Sequence, residues 1–230
     1  MPTLRLLCYN VRSLRDDEDA VARVIRGCEP HVVCVQEAPR FARWRSKNAA
    51  LARRSGLVVV GGGRSAAANL ILSSLGVDVV STHEVLFTPE PRLHQRGTAI
   101  AVLALGGVRF AVAGTHLDLA EAPRLRHVGE LHAALDRYVP ADVPAVVAGD
   151  INDVPGSASW EALTAVRTDA WVAAGSGEGF TSNPKNPRRR IDAVFADRRL
   201  PVISAEVIDT PDVVRASDHY PVLVELGLDG

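Results

Sequence analysis

Between Leu57 and Leu117 the chain strings together five short β-type runs, "LVVVGG", "NLILSS", "GVDVVSTHEVL", "GTAIAVLAL" and "VRFAVAGTHL", with little but glycine and polar residues between them. Short runs rich in β-branched residues and bounded by turn formers read as strands, and Gly106-Gly107 reads as the turn of a hairpin. So dense a set of strands has two faces to cover, and the flanking sequence offers the cover. Helix-period segments occur at "DDEDAVARVIRG", "FARWRSKNAALARRSG" with Gly56 as its C-terminal stop, "APRLRHVGELHAALDRYV" and "SASWEAL". Further strands occur at "TLRLLCYNV", "HVVCVQE", "VPAVVAGDIN", "RIDAVF", "VISAEVI" and "PVLVEL". Strands in mixed order with helices between them predict an α/β chain of two mixed β-sheets packed face to face with helices outside. No linker or repeat divides residues 1–230, so a single domain is expected, with low-complexity sequence confined to "AAGSGEG".

The balance of 47% hydrophobic and 23% charged residues suits a soluble chain. No run approaches the ~18 uncharged apolar residues of a membrane span, and "MPTLRLLCYNVRSLRDDEDA" turns polar too early for a secretory signal. A cytoplasmic location without membrane insertion is expected. Cys8, Cys28 and Cys34 are odd in number and form no C-x-x-C pair, which argues against a disulfide framework or a zinc site; Cys8 and Cys34 sit in strand runs as small core residues. A formal net charge of −1 argues against a chain wrapped all round by nucleic acid. The charge is uneven, however. From Ala38 to Val77 there is no Asp or Glu, while Arg40, Arg43, Arg45, Lys47, Arg53, Arg54 and Arg64 all fall there. Such a segment is either a solvated helix face or a surface for an anionic substrate.

Polar residues end the apolar strands one after another. Asn10 follows "LRLLCY", Glu37 follows "HVVCVQ", His116 follows "VRFAVAGT", Asp150 and Asn152 follow "VPAVVAG", Asp192 lies in "RRIDAVF", and Asp218-His219 precede "PVLVEL". Singly, each reads as an Asx turn or a strand end meeting water. Together they form a chemical inventory. Glu37, Asp150, Asp218 and the amides of Asn10 and Asn152 are the hard oxygen donors that Mg²⁺ or Mn²⁺ takes, and two histidines with a further carboxylate supply proton transfer and orientation. Metal-assisted attack of water on a phosphate ester uses this set.

"CYNVR", "QE", "GTHL", "GDINDVP", "RRRIDAVF" and "SDHYPV", in this order over most of the chain, resemble the endonuclease/exonuclease/phosphatase superfamily with its DNase I-like fold. The resemblance implies a four-layer αββα sandwich with its active site at one sheet edge. It implies Glu37 as the main carboxylate ligand of Mg²⁺ or Mn²⁺, Asn10 beside it and Asp218 closing the metal or water shell. His219 is similar to the histidine that contacts the scissile phosphate, Asp192 to the carboxylate that orients it, and Asp150 and Asn152 to the pair that positions water and stabilises the transition state. His116 matches a position that is tyrosine or histidine among members. Arg96 in "QRGTAIAV" and Asn69 in "NLILSS" match substrate-phosphate segments. His31, His83, His94, His127 and His132 match no motif, and His127 and His132 read as helix-surface residues.

The ester itself is open between a phosphodiester, as in a nuclease or related phosphodiesterase, and the monoester of a small molecule or lipid headgroup. Arg188-Arg189-Arg190 and the basic segment are candidate contacts to a nucleic-acid backbone, while aromatic residues, at 5%, offer few stacking platforms for a single strand. No amphipathic membrane helix is evident, and no obligate protein partner is implied. An inactive binding module would show eroded polar positions, and none is eroded.

Overall fold

A computed structural model describes residues 3–228. In chain order the elements are β1 (Thr3–Asn10), α1 (Glu18–Gly27), β2 (Val32–Gln36), α2 (Trp44–Arg54), β3 (Val58–Gly63), β4 (Asn69–Ser73), β5 (Val77–Leu86), β6 (Gly97–Leu105), β7 (Val108–His116), α3 (Glu121–Tyr138), β8 (Ala145–Asp150), α4 (Ala158–Thr164), β9 (Thr168–Asp169), α5 (Ala170–Ala174), β10 (Asp192–Ala196), β11 (Val202–Val207), α6 (Val213–Ala216) and β12 (Val222–Gly227). Every strand and helix expected from the sequence is present within a few residues of its expected bounds. The short β9, α5 and α6 were not legible, because each has too few residues to display a period.

The strands form two mixed sheets of six, ordered β11-β12-β1-β2-β4-β3 and β5-β6-β7-β8-β10-β9. Strand alternation explains how they stack. Leu4, Leu6 and Cys8 of β1 face Ala99, Ala101 and Leu103 of β6 and Val146 and Ala148 of β8 in the layer between the sheets, since successive side chains on a strand point to opposite faces. The opposite set, Leu7, Tyr9, Val33 and Val35, packs outward against Val21, Val24 and Ile25 of α1 and Leu51 of α2. On the far side Ile100, Val102, Val147 and Phe195 pack against Val128, Leu131 and Leu135 of α3 and Trp160 of α4. The result is the αββα sandwich. Each buried Val, Leu, Ile or Phe contributes about 1.5–3 kcal/mol against exposure.

Local signals behave as their chemistry requires. The Asp17 side chain accepts from the backbone N–H groups of Asp19 and Ala20 and so caps α1. Gly106 and Gly107 both have positive φ, +59° and +84°, and join β6 to β7 in a tight hairpin. Cys8 and Cys34 face each other in the parallel β1–β2 register within the core, and burial pushes the Cys34 thiol up to about 12. His127 departs from the surface position expected of it. It is buried under α3, stacked 5.2 Å from Phe87, with Nε2 3.2 Å from the Thr88 carbonyl; a helix pattern read in one dimension does not show that the loop after β5 folds back over that face. His132 is half-buried, and burial lowers its pKa.

Candidate active site

The two sheets deliver their polar strand ends to one edge. β1 runs parallel to β2, bringing Asn10 opposite Gln36, with Glu37 next. In the second sheet β7 and β8 run parallel with His116 opposite Asp150, and antiparallel β10 starts there with Asp192 opposite Asp150. Since β12 runs antiparallel to β1, with Val222 opposite Cys8, the His219 before it falls at the same end. A cavity of about 340 Å³ opens at this edge, and its lining includes Glu37, Arg96, His116, Asp150, Asn152 and His219.

Asp150 sits at the centre of the polar contacts. Asn10 Nδ2 donates to its Oδ2 at 2.9 Å and approaches Glu37 Oε1 at 3.4 Å, while Asn10 Oδ1 accepts from the Arg12 backbone N–H. Asn152 donates its backbone N–H to Asp150 Oδ1 at 3.0 Å, an Asx-type turn. The Asn152 side-chain amide donates to the Leu117 carbonyl at 3.0 Å and to His116 Nε2 at 2.9 Å. His116 Nε2 is therefore an acceptor and holds no proton for Asp150 Oδ2, which lies 3.4 Å away. The single lone pair of that nitrogen is taken by the Asn152 amide, so the two atoms meet without a hydrogen bond.

The two histidines are driven in opposite directions. Burial, with help from Arg96 and His219 and against the pull of Asp150, lowers the His116 pKa to about 3 and keeps it neutral. Burial also pulls on His219, but the charges of Asp192, Asp150 and Asp218 and the hydrogen bond to Asp192 outweigh it and lift the pKa to about 10. His219 Nδ1 is 2.8 Å from Asp192 Oδ2, which leaves Nε2 toward the cavity, 3.8 Å from Asp150 Oδ2. Asp192 is fully buried, held by Thr181, whose Oγ accepts from the backbone N–H groups of Ile191 and Asp192. Ser217 Oγ, which donates to the Asn10 carbonyl and accepts from the His219 N–H, ties the last motif to the first.

The structure thus brings together Asn10, Glu37, His116, Asp150, Asn152, Asp192 and His219, with Arg96 in the cavity wall. It does not bring in the other two candidates. Asp218 is turned to a neighbouring cleft, where its half-exposed carboxylate lies 3.2 Å from Arg12 Nε, because alternate side chains beside a strand point to opposite sides. Asn69 is wholly buried and ties the carbonyls of Ala66 and Gly97 together through Nδ2, so it braces the backbone next to Arg96 instead of reaching a substrate. The basic residues also divide. Arg40 lines the cavity, whereas Arg54 pairs with Glu18, Arg45 lies over the Trp44 ring, and Arg190 is buried in a two-pronged pair with Asp169, 2.9 Å on each arm.

Sequence reasoning missed Arg15, Phe41, His94 and Leu119 in the cavity lining and Asp118, a buried carboxylate 3.8 Å from Arg96 Nε. The fourth residue of "THLD" was the available signal for Asp118. Also unread was the backbone. Ser13, Glu37, Ala67, Ala68 and Asn152, all lining the cavity, have φ between +52° and +73°, a left-handed conformation that non-glycine residues avoid.

For a divalent cation the donor set fits. Glu37 presents its carboxylate to the cavity with one long contact from Asn10, whereas His219, protonated and bonded to Asp192, is no ligand. Hard oxygen donors left short of partners are what Mg²⁺ or Mn²⁺ takes.

One edge of the αββα sandwich thus gathers carboxylates, amides, a neutral histidine and a protonated one. The model of the endonuclease/exonuclease/phosphatase family matches residues 7–219, and the chain belongs to that family. No match is found among curated proteins. Similar solved structures include an endonuclease/exonuclease/phosphatase from Bacteroides vulgatus, 21% identical with all of both chains covered and a TM-score of 0.85. The mannosyl-6-phosphatase of Bacteroides thetaiotaomicron is 17% identical, covering 97% of this chain and 99% of its own, at 0.84. D. rerio TDP2, solved with a single-strand DNA product, is 18% identical, covering 99% of this chain and 100% of its own, at 0.76. Among the described residues no helix is long and apolar enough to cross a membrane.

Proposed function

We propose that this protein is a divalent-cation-dependent hydrolase of a phosphate ester. The observation that carries this reading is the convergence on one cavity of neutral His116, charged His219 and the acceptor Asp150 between them. Groups whose surroundings push their pKa values apart mark acid and base roles. Glu37 would hold Mg²⁺ or Mn²⁺ with Asn10 beside it. When bound, the cation would neutralise phosphoryl charge and make a water easier to deprotonate.

The chain's own groups account for the rest. Asp150 Oδ2 accepts from the attacking water and takes its proton as the water oxygen bonds to phosphorus. The P–O bond to the alcohol breaks, and the departing oxygen takes up a proton from solvent. His116, its one lone pair held by Asn152, stays a neutral wall of the site. The His219 Nε2–H and the Arg96 guanidinium face the phosphoryl oxygens as their charge grows, and such preorganised donors supply much of the rate in dry sites. Asp192 fixes the His219 tautomer. The wall formed by Asn152, whose amide is fully used by Leu117 and His116, holds this geometry rigid.

A phosphodiester is the first reading of the substrate, supported by Arg15 and Arg40 at the mouth. A compact monoester is the second, supported by the withdrawal of Arg190 and Arg54 into ion pairs, which removes two candidate contacts to a polymer's phosphates. Purified protein assayed on bis(p-nitrophenyl) phosphate and p-nitrophenyl phosphate, with Mg²⁺, Mn²⁺ or EDTA, tests both. We expect metal-dependent release of nitrophenol that EDTA abolishes, and the preferred ester separates the readings. Absence of hydrolysis of either ester with both metals would overturn the proposal.

A further inference from the structure

The floor of the cavity is polar, but its rim is not. Phe41 is 74% exposed and Leu119 71% exposed, and both line the cavity. A single exposed apolar residue needs no explanation. These two come from different sheets. Phe41 lies between β2 and α2 of the first sheet, Leu119 between β7 and α3 of the second, and neither belongs to any of the three apolar cores. Packing does not require them. Leu119 is moreover held in place from behind, because Arg124, itself paired with Asp153, donates to the Leu119 carbonyl at 2.9 Å. The Arg40 guanidinium carbon lies 5.2 Å from the centre of the Phe41 ring, a cation–π distance, and Arg40 also lines the cavity. Aromatic rim and cationic wall are thus one surface.

We propose that the alcohol side of the phosphate ester carries a planar aromatic ring, which stacks on Phe41 and is closed over by Leu119 while the phosphate reaches Arg96 and His219. This rests on the phosphoester reading of the site. A planar ring can lay its whole face on the exposed Phe41 ring, whereas a sugar or inositol meets it through a C–H face alone and keeps its hydroxyls toward water. A cavity of about 340 Å³ accommodates a phosphate and one ring system, at the lower end of small-molecule sites.

Binding and turnover are measured separately. Phenylphosphonate, cyclohexylphosphonate and methylphosphonate, none of which can be hydrolysed, are titrated calorimetrically into wild type, Phe41→Ala, Leu119→Ala and, as an exposed apolar control outside the cavity, Leu75→Ala. Wild type and Leu75→Ala should prefer phenyl over methyl by about tenfold, the usual worth of a stacking contact, and over cyclohexyl by several-fold. Phe41→Ala should abolish both preferences and Leu119→Ala should reduce them. Equal affinity for phenyl and methyl in the wild type, or a preference that survives Phe41→Ala, overturns the ring subsite. Cyclohexyl binding as tightly as phenyl also overturns it and assigns the rim to an aliphatic group. If the phenyl preference depends on Phe41 but no ester is hydrolysed, the subsite stands and the hydrolase reading falls.

Discussion

His219 Nδ1 lies 2.8 Å from Asp192 Oδ2, and the imidazole thereby points Nε2 toward Asp150 and the cavity. The carboxylate has no other task within reach: its Oδ1 is buried without a hydrogen-bond partner among the described residues. The pair acts as one unit. His219→Ala and Asp192→Ala should each lower kcat by about 10²-fold or more, the scale of acid–base contributions. The double variant should fall little below the worse single. Kinetics on folded single and double variants decide this; losses that multiply would dissolve the unit.

In the proposed reading Glu37 is the residue that holds the metal. Even residues that only support a metal ligand cost about 10–100-fold in metal affinity when changed, so Glu37→Gln should weaken Mn²⁺ binding by at least that much and lower turnover with it. Wild-type melting temperature should rise on adding Mn²⁺ and fall back on adding EDTA, with Glu37→Gln nearly insensitive to both. An unchanged Mn²⁺ titration of the variant would remove Glu37 from the metal's shell.

Stability in the metal-free protein should slope on both sides of neutrality. The pKa of His219 is raised above the ordinary 6.5 to about 10, so the folded state holds a proton that the unfolded state has released in this window. Its stabilisation is complete below pH 6.5 and is lost as pH rises through 10. His116 is the reverse, lowered to about 3, so its unfolded form takes up a proton first and stability declines as pH falls from 6.5 toward 3. Thermal melts across pH should show the alkaline slope flattened in His219→Gln and the acid slope flattened in His116→Gln, each leaving the other slope in place.

Arg190 is a structural residue despite standing in "RRR". Its guanidinium spans both oxygens of Asp169, lies 4.7 Å from the Trp160 ring centre and is buried. Arg190→Ala leaves the Asp169 carboxylate buried and uncompensated, a loss of about 3–5 kcal/mol in such pairs. Denaturant titration should show this, while Arg188→Ala, an exposed neighbour, should change stability by less than about 0.5 kcal/mol.

What the sequence made legible followed from periodicity and from strand ends. The alternation of Leu4, Leu6 and Cys8 against Leu7 and Tyr9 announces a strand buried on both faces, and polar residues at the ends of such strands had to gather at an edge. Direction was harder. Asp218 and His219 are adjacent in the chain but serve opposite sides of the edge, and only the Arg12 contact shows which way Asp218 turns. Glycines in "AAGSGEG" read only as low-complexity sequence, yet a Cβ at Gly179 would lie 2.4 Å from the Trp171 ring and one at Gly175 2.5 Å from it. The loop is wrapped on an indole, and a contact across several residues of irregular chain has no period to betray it.

The left-handed backbone around the cavity bears on how this protein can change. Conformations of that kind cost of order 1–3 kcal/mol each, and Glu37 and Asn152 cannot relieve theirs by becoming glycine without surrendering their side chains. Ala67 and Ala68 can. Selection for heat resistance should therefore find easy gains at the alanines and a ceiling at the acid and the amide, so that the part of the chain under chemical obligation is also the part that limits how robust the whole can be made.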